Sequence, residues 1–359
     1  MLNVVSTLSS GGDDAPDKVN GGDYTTAPLW ESGQQRELTS TINDPEGETE
    51  TLQCFSGDYS SQGQLQLIGW TCAEGNSITI SVAPGNGHGG VRRVDGGTGV
   101  LFADVLIYGA AMNHITIQDI EMFSSNVNYV YRTQDANENT LKRCIIYGDS
   151  IGSAGGIVRM RLGCYGENLL VVNQSSAGSA VVSDGGWTCY SSTAINTLST
   201  QQAFVATNTS LTDCIAFAPA GTTDWYIAGT GTRNNNAYRA GNVPGSSPVL
   251  ITADDFVDYA GGNYRPNPNG ALKENGANLS ATFTDDITGY TRPGLPDPWD
   301  IGPYAIQGAP VEVEFIGPDV PQLDGTVGDS MDLPVPNLDS RFSGTGAPFR
   351  YSLAPGSTA

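Results

Sequence analysis

The sequence predicts an all-β fold: a right-handed parallel β-helix with an amino-terminal cap, followed by a small, partial β-sandwich. Two observations support this fold class. Short strand-like segments recur at a nearly constant spacing along the chain. The chain also contains 46 glycines and 20 prolines, with no long run of helix-forming residues. Such a composition favours short strands joined by tight turns.

The recurring segments form two sets with the same period. The first set begins at residues 120, 144, 168, 192 and 214, and subtraction gives spacings of 24, 24, 24 and 22 residues. The second set begins near residues 105, 130, 157, 181 and 204, with spacings of 25, 27, 24 and 23 residues. Two sets with one period predict at least two strands in each coil of a solenoid. Leucine-rich repeats have a similar length, but their fixed Leu and Asn pattern is missing.

In a solenoid, each coil buries its inward side chains only against the neighbouring coils. Cys144, Asn168, Ser192 and Cys214 fall at the same place in successive coils, which predicts a column of small residues at one corner. We therefore interpret Cys144 and Cys214 as small buried thiols and not as catalytic groups. The six cysteines contain no CxxC pair, so neither a zinc site nor a redox motif is predicted.

Changes in composition divide the chain into three parts. Residues 1–77 are predicted to form an amino-terminal arm and a cap over the open end of the solenoid. Residues 78–308 are predicted to form the parallel β-helix with its closing loops. Residues 309–359 carry the strand and hairpin signals of a partial sandwich.

The charge of the chain limits its partners. Acidic residues outnumber basic ones by 38 to 16, which gives a net charge of -22. A surface this negative repels nucleic acid and anionic lipid, so neither is expected as a partner. The amino terminus lacks a basic and then apolar leader, and no run of about 18 apolar residues occurs, so we expect assembly in the cytoplasm without membrane insertion.

No cofactor or metal is predicted. The twelve-residue calcium loop, with its glycine and terminal glutamate, is absent from the sequence. The acidic pairs Asp254–Asp255 and Asp285–Asp286 are typical of solvated turns.

Several groups of motifs carry a family resemblance. They are Gly22–Thr26 with Trp30–Glu31, Gly69–Thr71, Ile78–Ile80 running to His88, Trp187–Tyr190, Asp213–Phe217, Asp285–Gly289, Arg292–Pro293 and Trp299–Gly302. Together these motifs, which span about residues 20 to 306, resemble pectin-lyase-like β-helix proteins of tailed bacteriophages. The tail at Val320–Leu353 resembles the first half of a bacterial and phage Ig-like module. We expect that module to continue beyond Ala359; the alternative is that a neighbouring subunit supplies the missing strands by strand addition.

The resemblance implies a virion structural protein displayed on the surface of a phage particle, after assembly in the host cytoplasm. It would be a capsid decoration or head spike, or a tail spike or fibre, with an adhesive or stabilising role. The resemblance also implies a homotrimer that contacts other virion proteins of the capsid or tail and a host surface glycan. The alternative is a polysaccharide depolymerase, either a lyase or a glycoside hydrolase, on the same scaffold. A bacterial adhesin would need an export signal or anchor.

The two histidines do not form a recognisable catalytic set. Gly87–His88–Gly89 resembles one motif of polygalacturonase-like hydrolases, but the three accompanying motifs do not follow in order. A loop at the junction of cap and helix is therefore the preferred interpretation of His88. His114 precedes a strand and is interpreted as a turn residue.

Acidic pairs suited to glycoside hydrolysis are scarce. An inverting reaction needs two carboxylates about 6.5 to 9.5 Å apart across one groove. The nearest match is Asp119 with Glu121, yet Lys142 and Arg143 occupy the corresponding places in the next coil. This pattern predicts charge pairing between coils on a solvated face.

Two weaker candidate sites remain. The first is a weak candidate for a lyase site, formed by Arg159 and Arg161 with Glu167. Four aromatic residues are candidates for stacking on sugar rings, although aromatics in such a fold more often pack between coils or subunits: Trp187, Tyr190, Trp225 and Tyr226. With no convincing catalytic set, we expect that the chain is not an enzyme.

Overall fold

The computed structural model describes residues 2–9, 23–34, 37–38, 48–62, 64–68, 70–72, 75–103, 105–108, 114–124, 129–134, 138–149, 156–161, 163–241 and 245–306. The chain divides into two compact units, Met1–Gln307 and Gly308–Ala359. The predicted Ig-like sandwich at residues 309–359 lies outside the described residues.

The regular secondary structure of the described chain is almost entirely β-strand. The first strands are β1 Leu2–Leu8, β2 Asp23–Tyr24, β3 Glu37–Leu38, β4 Glu48–Cys54, β5 Gly57–Asp58, β6 Leu65–Ile68, β7 Thr71–Cys72, β8 Ser77–Val82, β9 Val100–Phe102 and β10 Val105–Tyr108. The next are β11 Ile115–Gln118, β12 Glu121–Ser124, β13 Tyr131–Gln134, β14 Thr140–Lys142, β15 Ile145–Gly148, β16 Gly156–Met160, β17 Tyr165–Glu167, β18 Leu170–Asn173, β19 Ser179–Asp184 and β20 Thr188–Tyr190. The last are β21 Thr193–Asn196, β22 Phe204–Thr207, β23 Ser210–Thr212, β24 Ile215–Phe217, β25 Trp225–Ala228, β26 Arg233–Asn234, β27 Ala237–Tyr238, β28 Val249–Leu250, β29 Phe256–Asp258 and β30 Asn263–Pro266. Helix α1 spans Ala27–Gln34, and short 3-10 turns span Ser60–Gln62, Arg93–Asp95 and Ala253–Asp255.

Three parallel sheets run along the solenoid. Sheet 1 has the order β2-β1-β4-β8-β11-β14-β17-β20-β23-β26, sheet 2 the order β28-β27-β24-β21-β18-β15-β12-β9-β5, and sheet 3 the order β25-β22-β19-β16-β13-β10-β6. Each full coil contributes one strand to each sheet, in the order 1, 2, 3. The predicted parallel β-helix is confirmed. The two recurring sets in the sequence are the strands of sheets 2 and 3.

The sequence pattern does not reveal sheet 1 as a third recurring set, because apolar and polar residues alternate along its strands. Ile115 and Ile117 point into the core and are buried, while Thr116 between them is partly exposed. In the preceding coil, Ile78 is paired with Ile115 and Ile80 with Ile117. This period of two is typical of a sheet with one buried and one solvated face.

Sheet 2 is buried on both faces. Met122, Ile146, Val171, Ala194 and Ala216 occupy equivalent places in successive strands and point into the main core. The side chains beside them point outward and form a second apolar cluster. Because both faces of sheet 2 are buried, its strands appear in the sequence as continuous runs of apolar residues.

The outer face of sheet 2 is covered by the segment at residues 251–306. This segment has little regular structure beyond the antiparallel pair β29 and β30. Its apolar residues pack against outward residues of sheet 2 such as Ile145, Tyr147 and Phe217. The residues that it contributes to the cluster are Ile251, Phe256, Tyr264, Leu272, Ile287, Ile301 and Tyr304. We call residues 251–306 the covering segment.

In six successive coils, from β11 to β27, the corner between sheets 1 and 2 holds one non-glycine residue in the left-handed conformation. These residues are Asp119, Arg143, Asn168, Ser191, Asp213 and Asn235, with φ between 42° and 63°. A non-glycine residue in this region costs about 1–2 kcal/mol. Several of these side chains anchor the covering segment: Asn168 Nδ2 donates to the carbonyl oxygen of Asp285 at 2.8 Å, and Asn235 Nδ2 donates to that of Asn275 at 3.0 Å.

The register shifts the predicted column of small residues by one place. Ile145 is paired with Leu170, Leu170 with Thr193, and Thr193 with Ile215, so these four residues hold equivalent places in successive coils. Leu169, and not Asn168, is therefore the residue equivalent to Cys144, because the intervening coil is one residue longer than its predicted spacing. All six cysteines are free and buried, which includes Cys144 and Cys214, for which the sequence predicts buried thiols.

The amino-terminal part already belongs to the solenoid. Strands β4, β5 and β6 place one strand in each of the three sheets before residue 78. Helix α1 packs beside them, with Trp30 fully buried and its ring 5.7 Å from that of Trp70. The first coil of the solenoid therefore begins before the predicted boundary at residue 77.

Truncation of an inward side chain in sheet 2 should destabilise the solenoid. We expect Ile146→Ala to lower the free energy of unfolding by about 2–5 kcal/mol, because the neighbouring coils cannot fill the cavity. Urea unfolding followed by tryptophan fluorescence measures the change. Thr188→Ala, on the solvated face of sheet 1, is the control and should cost about 1 kcal/mol or less. Equal losses in the two variants would contradict the assignment of the core.

Candidate functional site

The outer face of sheet 3 carries a column of side chains at equivalent places in five successive coils. Its members are Arg132, Arg159, Val182, Val205 and Tyr226, which are paired in register from strand to strand. All five are partly or largely exposed, and their neighbours along each strand point inward. Because adjacent strands are about 4.8 Å apart, the column extends for about 19 Å along the solenoid axis. We call this set the sheet 3 column.

Both arginines at one end of the column lie against the ring of Tyr129. The guanidinium carbon of Arg132 is 4.9 Å from the ring centroid, and that of Arg159 is 5.5 Å from it. Arg159 Nη1 also donates a hydrogen bond of 2.8 Å to the Tyr129 hydroxyl. Contact with the aromatic ring stabilises each cation and fixes the plane of its guanidinium group.

The arginine pair concentrates positive charge in one place. Arg132 and Arg159 lie directly opposite each other on neighbouring strands, where like charges destabilise a sheet. The buried Nε of Arg132 has no hydrogen-bond partner among the described residues. This end of the column therefore brings two guanidinium groups close together.

Sequence reasoning missed the role of Arg132 and Tyr129. The available signal was the period: Arg132 and Arg159 are 27 residues apart, the spacing found between the second-set segments at 130 and 157. The contact with Tyr129 could not be read from the sequence, because Tyr129 lies outside the strand that follows it.

The structure separates the four predicted sugar-stacking residues. Trp187 and Trp225 are each only 1% exposed and flank the ring of Phe204, at 5.9 and 4.9 Å. Buried indole rings cannot stack on a sugar from solution. Tyr190 lies on sheet 1, 5.7 Å from the ring of Tyr165. Tyr226 is 52% exposed and ends the sheet 3 column, so its contact with a glycan stays a prediction.

The imidazole of His88 forms hydrogen bonds with two backbone groups. Its Nδ1 accepts a hydrogen bond of 2.9 Å from the Gly90 amide, so its Nε2 donates to the Arg143 carbonyl oxygen at 2.8 Å. Burial lowers the pKa of His88, which favours this neutral form. The residue thus ties the loop at 83–99 to the corner of the solenoid, in keeping with the predicted loop. His114 lies in a turn with φ of 58°, as predicted.

The predicted charge pairing between coils is present for Asp119. Arg143 Nε and Nη2 contact the two carboxylate oxygens of Asp119 at 2.6 and 2.7 Å, and Arg143 Nη1 pairs with Asp285 of the covering segment. Glu121 behaves differently. It is buried and accepts the backbone N–H of Arg93 with both oxygens, at 2.8 and 2.9 Å. Asp119 and Glu121 therefore do not face one groove.

The structure does not bring Arg159 and Glu167 of the predicted lyase site together. Arg159 lies on sheet 3, whereas Glu167 lies on sheet 1 and pairs with Lys142 at 3.2 Å. Glu167 also accepts a hydrogen bond of 2.6 Å from the Tyr165 hydroxyl. The two sheets face different sides of the solenoid, so these groups cannot act on one substrate bond.

Two carboxyl groups have raised pKa values, and both are covered. Burial raises the pKa of Glu121. Burial also raises the pKa of Asp213 to about 7, although the Ala277 amide and Arg292 oppose the shift. Asp213 Oδ1 accepts the Ala277 N–H at 2.8 Å, while Oδ2 has no hydrogen-bond partner among the described residues. Asp213 thus belongs to the contact with the covering segment and not to the sheet 3 column.

Within the described ranges, no group of three or more His, Cys, Asp or Glu side chains is arranged to hold a metal ion. The same ranges contain no helix with the length and apolar character needed to cross a membrane.

Comparisons with known proteins add one structural likeness. No protein-family model matches the chain, and no curated protein matches it. Among solved structures, the chain is similar to the crystal structure of pectate lyase Pel9A, with 11% sequence identity and a TM-score of 0.36. The match covers 85% of this chain and 96% of that one.

The expectation that the chain is not an enzyme is contradicted by this comparison, because the similar structure is that of an enzyme. That expectation is withdrawn. A TM-score this low says nothing about a substrate or a reaction for this chain.

Asp213 should make stability depend on pH. Its folded pKa of about 7 lies above its ordinary value, so the folded state binds the extra proton and the free energy of unfolding falls as pH rises from about 4 to 7. Asp213→Asn keeps the oxygen that accepts the Ala277 amide but cannot ionise. Between pH 5 and 8 we expect wild type to lose about 2 kcal/mol relative to this variant.

Urea unfolding at several pH values measures this difference. Asp254→Asn, an exposed carboxyl in a turn, is the matched control and should follow wild type. A constant difference between wild type and Asp213→Asn across pH 5 to 8 would show that Asp213 does not titrate in this range.

Proposed function

We propose that this chain is a surface-displayed β-helix protein of a bacteriophage particle and that the outer face of sheet 3 contacts a glycan. The observation that carries the glycan contact is the sheet 3 column itself. It combines hydrogen-bond donors, apolar side chains and an exposed aromatic ring along one line of the solenoid. Sugars are bound by this combination, since their hydroxyl groups need donors and their ring faces pack on aromatic and apolar groups.

The state of the three sheets supports the choice of this face. Outward residues of sheet 2 are buried beneath the covering segment. Val182 and Val205, which point outward from sheet 3, belong to neither apolar cluster of the protein. These valines and Tyr226 remain accessible to a ligand, and exposed apolar side chains aligned in this way mark contact surfaces.

The virion part of the proposal rests on the sequence motifs shared with phage β-helix proteins. In this proposal the chain forms a homotrimer on the virion surface and contacts other capsid or tail proteins. A solenoid suits such a position, because its stacked coils form an elongated body, and the outer face of sheet 3 remains available for contacts.

Loss of the exposed ring should weaken glycan binding. We expect Tyr226→Ala to reduce binding of the full chain to its best ligands on a glycan array by about tenfold, since stacking on the ring is lost. Tyr290→Ala removes another exposed tyrosine, outside sheet 3, and should bind as wild type does. The same ligands should be incubated with the protein and sized, which tests cleavage directly. Failure of the protein to bind any glycan on the array would contradict the proposed glycan contact.

Cryo-electron microscopy of purified particles tests the virion assignment. We expect density for the solenoid on the outside of the particle, as three copies around one axis. Location on the capsid would identify a decoration or head spike, and location on the tail would identify a spike or fibre. Particles that lack the chain altogether would contradict a structural role.

A further inference from the structure

We infer that the covering segment is a pH-sensitive element, which opens from the outer face of sheet 2 more often in weakly alkaline than in acidic solution, under the control of Asp213. The covering segment lies on sheet 2 and not on sheet 3. Its opening therefore does not depend on the proposed glycan contact.

The covering segment can open without disrupting the solenoid. The three parallel sheets are built from strands that end at Leu250, so their backbone pairing does not involve this segment. Within residues 251–306, strand pairing is limited to β29 with β30 and two isolated bridges. A part with few regular hydrogen bonds opens at a lower free energy than stacked strands do. Opening would expose apolar outward residues of sheet 2, such as Ile145 and Phe217.

Asp213 joins the solenoid to the covering segment at two points. Its carbonyl oxygen accepts the Gly302 N–H at 2.9 Å, and its Oδ1 accepts the Ala277 N–H at 2.8 Å. The residue is fully buried, and a Cβ added at Gly276 would lie 3.0 Å from its Oδ2. The covering segment therefore encloses the carboxyl group, and opening would return that group to water.

The enclosed position favours the protonated carboxyl group. Oδ2 of Asp213 has no hydrogen-bond partner among the described residues. Ionisation would place negative charge on an oxygen without a donor, whereas water solvates the same charge fully in the open state. Burial accordingly raises the pKa of Asp213 to about 7, against the opposing effects of the Ala277 amide and Arg292.

Arg292 is a charged group of the covering segment that faces Asp213. Its Nη2 donates to the Gly302 carbonyl oxygen at 2.8 Å and to Asn168 Oδ1 at 3.4 Å. Its Nη1 donates to the Asp300 carbonyl oxygen at 3.3 Å. These N–H groups are directed at other acceptors, so Arg292 attracts the Asp213 carboxylate but does not satisfy its Oδ2.

The other neighbours of Asp213 do not compensate its charge. On the solenoid side, burial raises the pKa of the Cys214 thiol, which stays neutral. The corners of the neighbouring coils carry the uncharged residues Ser191 and Asn235. Ionisation of Asp213 would add a further negative charge to those that Arg292 already faces, which belong to Asp285, Asp286 and Asp300.

The direction of the pH dependence follows from the two states of the covering segment. The closed state binds the Asp213 proton more tightly than the open state, in which the carboxyl has its ordinary pKa of about 4. The segment is therefore held most tightly below about pH 4, and its opening increases until the pH reaches about 7. From pH 5 to pH 8 we expect the open fraction to increase about 30-fold.

Hydrogen exchange of the full chain, followed by mass spectrometry between pH 5 and 8, measures this opening. The rates are corrected for the pH dependence of exchange in an unprotected amide. We expect peptides from residues 270–306 to exchange faster at every pH than peptides that contain the solenoid strands β14 to β23. The protection of residues 270–306 should fall about 30-fold from pH 5 to pH 8.

Two variants assign the pH dependence to Asp213. Asp213→Asn keeps an oxygen for the Ala277 N–H but cannot ionise, so the protection of residues 270–306 should stay constant over this range. Asp254→Asn removes an exposed carboxyl group of the same segment and should follow wild type.

Three results would contradict a pH-sensitive covering segment controlled by Asp213. If residues 270–306 and the solenoid strands lose protection together at every pH, the segment does not open by itself. If the protection of residues 270–306 does not change with pH, ionisation is not coupled to opening. Both results need only wild type, so they remain decisive if Asp213→Asn fails to fold. An unchanged pH dependence in a folded Asp213→Asn would assign the control to another group.

Discussion

Every part of this protein depends on the parallel register between successive coils. An inward side chain such as Ile146 finds its apolar neighbours one coil above and one coil below, at Met122 and Val171. No single coil encloses a core, so the stability of each coil depends on its neighbours. The same register that stacks the core also aligns the outward side chains. Functional columns on the surface are therefore a direct consequence of the packing inside.

The three sheets use their outer faces in different ways. Sheet 1 alternates apolar and polar residues and leaves a polar outer face. Sheet 2 is apolar on both sides and is closed by the covering segment, which the corner side chains of Arg143, Asn168 and Asp213 hold in place. These corner residues adopt left-handed conformations that glycine would adopt at lower cost. Glycine has no side chain, however, so it could not anchor the covering segment.

Sheet 3 keeps an outer face whose valines belong to neither apolar cluster. Its column begins with Arg132 and Arg159, which lie against the ring of Tyr129, and continues with exposed apolar and aromatic groups. The candidate site lies here because the outward residues of sheet 2 are covered, whereas the outward residues of sheet 3 are partly or largely exposed.

The sequence by itself determined the solenoid, because in-register stacking forces strand residues to recur with the length of a coil. It also determined the buried thiols and the pairing of Asp119 with Arg143, which follow from the same period. Only the tertiary structure decided which aromatic residues are accessible: Trp187 and Trp225 pack in the core, whereas Tyr226 points outward, and a difference of one residue within a strand separates these outcomes. It also brought Tyr129 against both arginines and placed the covering segment on sheet 2. The contact of Tyr129 with Arg159 and the contacts of the covering segment with sheet 2 join residues far apart in the chain, and no local pattern specifies them.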